Sequence, residues 1–463
     1  MVDSRSSSNS EEGCEPLDPS GGRPLFDELR LVGYSAGNFG KNLLLTSADV
    51  TLLFLLTDRL SIAPSVAGVL MLVAFIANLI IDIIVGAVVT WARTKGISYR
   101  FFVLAGAVPC GAAFALLYAL PWLGAARFWA IAAALVAFRG AYSVVDVPHN
   151  ALLAEITSDS RGRGRASGYR FIFSALAALA VAGIIAPSIA TDTWRALPGS
   201  LAEMGLAAGC CFILAMLIAA SCSQAKTLHP RIRGSFSLRM IFPKFDNLTA
   251  AMAAIAILTG FAMPMFGRMI LYVSTYVLGE PRFASQALIA MSIGQFGGAL
   301  LWTLLVRRFD KTTLLAAGHV LNIVGVVGFA CAGANLLLII ACTSLIGLGL
   351  ASVFMFPWGL LADVVDFAEY RHGERRETAL FAAFLVVIKA SGAASVAFVG
   401  WVMAEVHYTA GMTQAPATQL GVKLLAYGLP LLGSVLSIIL VSVLPITHAK
   451  HKQLLLQLER RRG

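Results

Sequence analysis

Charge is what this 463-residue chain has little of. Asp, Glu, Lys and Arg make up 13% of it, about half the share of an ordinary soluble domain. A water-exposed globular protein is excluded. Cysteine is scarce too. None of the seven stands at metal-ligand spacing, and Cys110, Cys210, Cys211, Cys331 and Cys342 fall inside apolar runs, where small buried side chains explain them better than disulfides or metal ligands. The first 24 residues are rich in Ser, Gly, Glu and Pro and lack the basic-then-apolar order of a cleavable signal peptide. No nucleophile–base spacing, metal cluster or phosphate loop stands out, so an enzyme is not expected and no cofactor is implied. A receptor would need a signalling domain, and both tails are short.

What the chain has is length of apolar sequence. It is 58% hydrophobic, with a mean hydropathy of +0.80. Twelve stretches are each long enough to cross a hydrocarbon layer of about 30 Å. They predict helices, because each segment must satisfy its own backbone polar groups in lipid. The fold class predicted is an all-α membrane protein with twelve transmembrane helices in two six-helix bundles. The organisation expected is a disordered cytoplasmic tail (1–24), an N-terminal bundle (25–222), a central cytoplasmic loop (223–247), a C-terminal bundle (248–447) and a basic cytoplasmic tail (448–463). That last stretch, "HAKHKQLLLQLERRRG", reads equally as a short helix on the membrane surface or as a solvated tail.

Basic residues set the orientation. The tails and the connections after even-numbered spans hold 25 of the 35 Lys and Arg, while the opposite connections hold only Arg59, Arg127, Arg195 and Arg282. Both termini are therefore expected in the cytoplasm, and the protein in the plasma (inner) membrane. The net charge of +10 follows from this asymmetry and does not call for nucleic acid as a partner. The expected partners are a small-molecule solute and the bilayer, with the protein a monomer. A weak repeat joins the halves. "GAVVTWARTKG" and "GALLWTLLVRRFDK" each follow a half's second span, as in transporters built from repeated halves.

The few charges within the spans carry the functional signal. Lys41, Asp49, Asp82, Arg139, Asp146, Arg170, Arg268 and Lys389 lie in apolar stretches, where each costs about 2.5–3.5 kcal/mol at mid-membrane. Spacing gathers them. Asn42 and Asp49, seven apart, share a helix face. So do Asn78 and Asp82, four apart, and Arg139 and Asp146, with Asn150 four beyond. A polar cavity shared by several spans explains so many charges better than separate structural pairs, although Arg139 and Asp146 are also spaced to pair with each other. His149 reads as a hydrogen-bonded core residue rather than a proton relay. At the inner ends, Glu155, Asp159 and Arg165 in the first half match Asp363, Asp366, Arg371 and Arg375 in the second. They are candidates for a gate of ion pairs across the halves, with solvated loops as the alternative.

The stretches "GNFGKN" (37–42), "FLLTDRLSIAPSVAGVLMLV" (54–73), "IDIIVG" (81–86), "YSVVDVPHNALLAEIT" (142–157), "ADVVDFAEYRHGERRE" (362–377) and "VVIKASG" (386–392) occur in order along the chain. With them the sequence resembles the glycoside–pentoside–hexuronide:cation symporters, the melibiose-carrier branch of the major facilitator superfamily. That resemblance implies alternating access and cation-driven uptake. It carries the family's cation-site acids onto Asn42, Asn78, Asp82 and Asp146, and its substrate-site positions onto Lys41, Asn42, Asp146, Asn150, Arg170 and Lys389. Asp49, Arg139 and Arg268 are additional substrate-site candidates. Two of the four acids are amides here, Ile83 replaces the usual proline, and Asn150 replaces the sugar-stacking aromatic. Amides bring no negative charge, so the expected coupling ion is a proton, with sodium as the alternative. The function expected is secondary active transport of a sugar, glycoside or hexuronide. The alternative is an organic acid, amphiphile or other metabolite, with or without cation coupling.

Overall fold

A computed structural model of the chain describes residues 24–120, 128–156, 160–190, 200–223, 246–372, 377–444 and 446–462. Twelve helices in it are long and apolar enough to cross a membrane: α1 (Glu28–Arg59), α2 (Pro64–Thr94), α3 (Tyr99–Ala119), α4 (Phe128–Leu153), α5 (Gly168–Ile189), α6 (Leu201–Cys222), α7 (Asn247–Val277), α8 (Arg282–Leu305), α9 (Lys311–Cys331), α10 (Leu336–Arg371), α11 (Ala383–Glu405) and α12 (Pro416–Ser442). Every element among the described residues is helical. The spans begin where the sequence supplies a start. Pro64 and Pro416 open α2 and α12, at positions where a missing N–H costs nothing. Asp246 caps α7 by accepting from Thr249 N (2.8 Å) while Thr249 Oγ1 accepts from Asp246 N (2.8 Å).

Small residues bring the helices together within each half, where lipid offers no hydrophobic drive. A methyl group at Gly111 of α3 would lie 2.8 Å from the Gly209 carbonyl of α6. Between the halves, α2 packs on α11 and α5 on α8. At the end of the bundle away from the chain termini this contact is tight: a Cβ on Gly400 (α11) would sit 2.8 Å from the Cα of Gly68 (α2). Ser285 of α8 donates to the Ala182 carbonyl of α5 nearby, at 2.6 Å.

Two irregularities shape the interior. α7 breaks at Ala262–Pro264 and resumes over Met265–Tyr272, since Pro264 has no N–H and clashes with the preceding turn. The first helix of each half also ends in one widened, π-type turn: Leu55–Arg59 in α1 and Val273–Val277 in α7, a device common at functional places in helices.

A further helix, α13 (His448–Arg462), follows the last span. Neither reading of the tail anticipated its seat. It docks on the C-terminal end of α10, with Leu454 and Leu458 buried and His451 Nε2 2.9 Å from Asp366 Oδ2. The expected tail at 1–24 and most of the central loop lie outside the described residues.

Candidate functional site

Between the halves lies a cavity of about 650 Å³ lined by α1, α2, α4, α5, α7, α10 and α11. All eight intramembrane charged residues face it, together with Asn42, Asn78 and Asn150. The polar stripes expected from spacing on α1, α2 and α4 thus converge on one void.

Three ion-paired groups occupy it. In the first, Lys41 Nζ is 2.5 Å from Asp146 Oδ1 and donates to Asn150 Oδ1 at 2.9 Å. Asn150 donates back to Asp146 (3.1 Å). Arg170 extends the group by donating to Asn150 Oδ1 (2.7 Å) and to Asn38 Oδ1 (3.0 Å). Asn38 and Asn42 both donate to Ser174 Oγ, at 3.3 and 2.9 Å. Lys41 is buried, whereas Asn150 is exposed to the cavity. The second group joins the halves. Lys389 of α11 donates to Asp82 Oδ2 of α2 at 2.6 Å, and Asn78 donates to the same oxygen at 2.9 Å.

The third group corrects a pairing that spacing allowed. Arg139 does not pair with Asp146. Its Nη2 lies 3.5 Å from Asp49 Oδ1, and its guanidinium sits 4.3 Å from the centre of the Phe75 ring. Asp146 is taken by Lys41, which spacing along a single helix could not reveal. Arg268, carried in beyond the break in α7, donates through Nη1 to Ser395 Oγ (2.9 Å) and to the Gly392 carbonyl (3.4 Å). His149 is away from the void. It is fully buried, stacked on Tyr34 at 4.8 Å, with Nε2 3.3 Å from the Tyr34 carbonyl.

The end away from the termini is sealed by a cluster that the sequence reading missed. The buried Asp58 of α1 accepts from Thr57 (2.6 Å), from Tyr408 (2.7 Å) and from Tyr276. Thr57 and Tyr272 hydroxyls stand 2.8 Å apart. Both tyrosines on Asp58 belong to the second half, so one carboxylate ties the halves together. Burial and the Asp58 charge push the Tyr408 phenol far up, which keeps it a hydrogen-bond donor. The only hint in the sequence was the acid in "LLTDR", which reads as a span end.

At the opposite end, the gate candidates pair within their own halves. Arg165 is 3.6 Å from Glu28, Lys311 is 2.7 Å from Asp363, and Arg371 is 3.2 Å from Asp246. Asp366 bonds to His451 of α13. The expected pairs between halves are not among these contacts. Glu155 falls in the last turn of the helix Phe128–Ile156; Asp159 and Arg375 lie outside the described residues.

A charged void of this size between two helical bundles could hold a small solute, and sequence comparison gives the family. The model for MFS/sugar transport proteins matches residues 33–448. The chain belongs to this family. Among its relatives, the putative glycoside/cation symporter YagG of Escherichia coli (strain K12) is 24% identical over 439 residues, covering 93% of this chain and 95% of that protein. The glucuronide carrier protein homolog of the same organism is 21% identical, with 93% and 95% covered. Among solved structures, a bacterial homolog of the lysosomal transporter Spinster, inward-facing and unoccupied, superposes with a TM-score of 0.59 at 13% identity, covering 91% and 96%. The family member described here is therefore an integral membrane transporter of the major facilitator type and not an enzyme.

Proposed function

We propose that this MFS/sugar transport protein carries a sugar or glycoside across the membrane by alternating access, with its termini in the cytoplasm and a proton as the coupling ion. The observation that carries the reading is the cavity itself. Its Lys41–Asp146–Asn150–Arg170 network offers the mixed donors and acceptors that ring hydroxyls require. The relatives named as a glycoside/cation symporter and a lactose permease support a sugar as cargo.

Proton coupling rests on how the carboxylates are occupied. A sodium ion wants several anionic or carbonyl oxygens turned toward it. Here each cavity acid already has a cation beside it: Asp82 has Lys389, Asp146 has Lys41 and Asp49 has Arg139. An ammonium stands where a metal ion would have to sit. A proton arriving on Asp82 would instead release Lys389 and loosen the contact between α2 and α11. The residues proposed for the coupling ion are Asp82 and Asp146, flanked by Asn78 and Asn42. The inner gate remains part of the proposal: the acids and bases that pair within each half in the shape sealed at the far end exchange partners across the halves when that seal opens.

The test is uptake by proteoliposomes of radiolabelled methyl glucoside, lactose and citrate under imposed pH or sodium gradients. Sugar accumulation that follows the pH gradient supports the reading. Accumulation driven by sodium alone refutes proton coupling, and citrate uptake without sugar uptake refutes the sugar.

A further inference from the structure

Five cationic side chains and three carboxylates line the cavity, and the excess is not spread evenly. Around Lys389 and Asp82 charge is balanced, and the surplus of Lys41 and Arg170 over Asp146 is met by the Asn150 and Asn38 amide oxygens. Around Arg139 and Arg268 there are two guanidiniums and one nearby acid, Asp49, which lies within electrostatic reach of both. The fit with that acid is poor. At 3.5 Å, Arg139 Nη2 makes no hydrogen bond to it, and the Asp49 side chain keeps 37% of its surface exposed. Arg268 Nε also has no partner. Yet Arg139 and Arg268 are only 3% and 8% exposed. Buried guanidinium donors left unpaired are costly, so the arrangement is incomplete without an acceptor.

Both groups are held in place as a receptor would hold them. The Phe75 ring lies against the Arg139 guanidinium, at 4.3 Å, a stacking that favours the planar cation. Ser395 and the Gly392 carbonyl fix one end of Arg268, and the Pro264 break sets the short helix that carries it. The two arginines come from opposite halves, one on α4 and one on α7. A ligand touching both would tie the halves together.

We propose that Arg139 and Arg268 form a subsite for a single oxyanion group, a carboxylate or sulfonate, on a glycoside whose ring hydroxyls meet Lys41, Asn150 and Arg170. The subsite rests on the sugar reading above and narrows it to acidic glycosides. The carboxylate or sulfonate oxygens accept from both guanidiniums, the geometry in which arginine outperforms lysine. Asp49 serves as a loose counter-ion that the incoming group displaces from Arg139.

The test is calorimetric binding of p-nitrophenyl-β-glucuronide and p-nitrophenyl-β-glucoside to the purified full chain. The two probes differ only in a carboxylate in place of a hydroxymethyl. The expected result is about tenfold or greater preference for the glucuronide, the scale of a charge-assisted hydrogen bond. Arg268→Gln and, independently, Ser395→Ala should shrink that ratio, and Arg268→Lys should restore part of it, with thermal melting confirming that each variant is folded. Glucoside binding with no glucuronide preference, or a ratio unchanged in Arg268→Gln, overturns the subsite and leaves the sugar reading intact. Binding of neither probe overturns both.

Discussion

Removing the Tyr408 hydroxyl should open the sealed end of the bundle. Asp58 is buried and accepts three hydroxyl hydrogen bonds, two of them from the other half. Tyr408→Phe deletes one of these two cross-half bonds while keeping the ring contacts with Tyr272 and Tyr276, at 5.7 and 5.4 Å. A hydrogen bond to a charged group contributes about 1.5–3 kcal/mol. If that contribution exists only in the sealed shape, its loss shifts the sealed-to-open ratio by about 10- to 100-fold. The assay is a spin–spin distance distribution between labels at Ser61 and Met412, which are exposed positions on opposite halves at this end. The other cysteines should first be replaced by serine, since Cys210, Cys211 and Cys331 are free and exposed. A new, longer distance population in Tyr408→Phe is expected, and a larger one in the Tyr276→Phe, Tyr408→Phe double variant. A distribution identical to that of the parent would show that the Asp58 cluster is not what holds the halves together.

Other perturbations bear on other parts of the molecule. Asp82→Asn should abolish accumulation driven by a pH gradient while passive exchange of labelled for unlabelled sugar persists; equal loss of both would place Asp82 in solute binding rather than coupling. Lys389→Ala strips the counter-ion from a carboxylate whose side chain is only 16% exposed, and should cost at least about tenfold in initial uptake rate, a modest part of the 3–5 kcal/mol seen for fully buried pairs. Gly400→Val forces a side chain into the Gly68 backbone; overpacking of this kind costs about 1–3 kcal/mol, and the same spin-label distances should lengthen. His451→Ala should lower the melting temperature in detergent by freeing α13 from Asp366, a loss of about 1 kcal/mol; an unchanged melt would mean the docked helix adds nothing to stability.

The twelve spans were legible because lipid imposes a single rule on the backbone, and the long apolar stretches obey it. Asn42 with Asp49, and Asn78 with Asp82, could be placed on common faces because helical period alone decides that. The pairings were not legible. Lys41 and Asp146 are far apart in sequence, and only the packing of α1 beside α4 brings Nζ within 2.5 Å of the carboxylate. Spacing along α4 equally allowed Arg139 to pair with Asp146, yet two residues can share a face without touching. Asp58 escaped notice because an acid at a span end is usually solvated; its tyrosine partners come from a distant turn and a loop in the other half. The seat of α13 was hidden for the same reason: His451 and Asp366 say nothing of each other until the chain folds.

The claim everything else leans on is that cargo occupies the void ringed by Lys41, Asp82, Asp146, Arg170 and Lys389. A density map of the protein with p-nitrophenyl-β-glucuronide bound tests it most directly. The expected map shows the sugar ring against Asn150 and Arg170, with its carboxylate between Arg139 and Arg268. Ligand density confined to the outer surface of the bundle, with this cavity holding none, would contradict it.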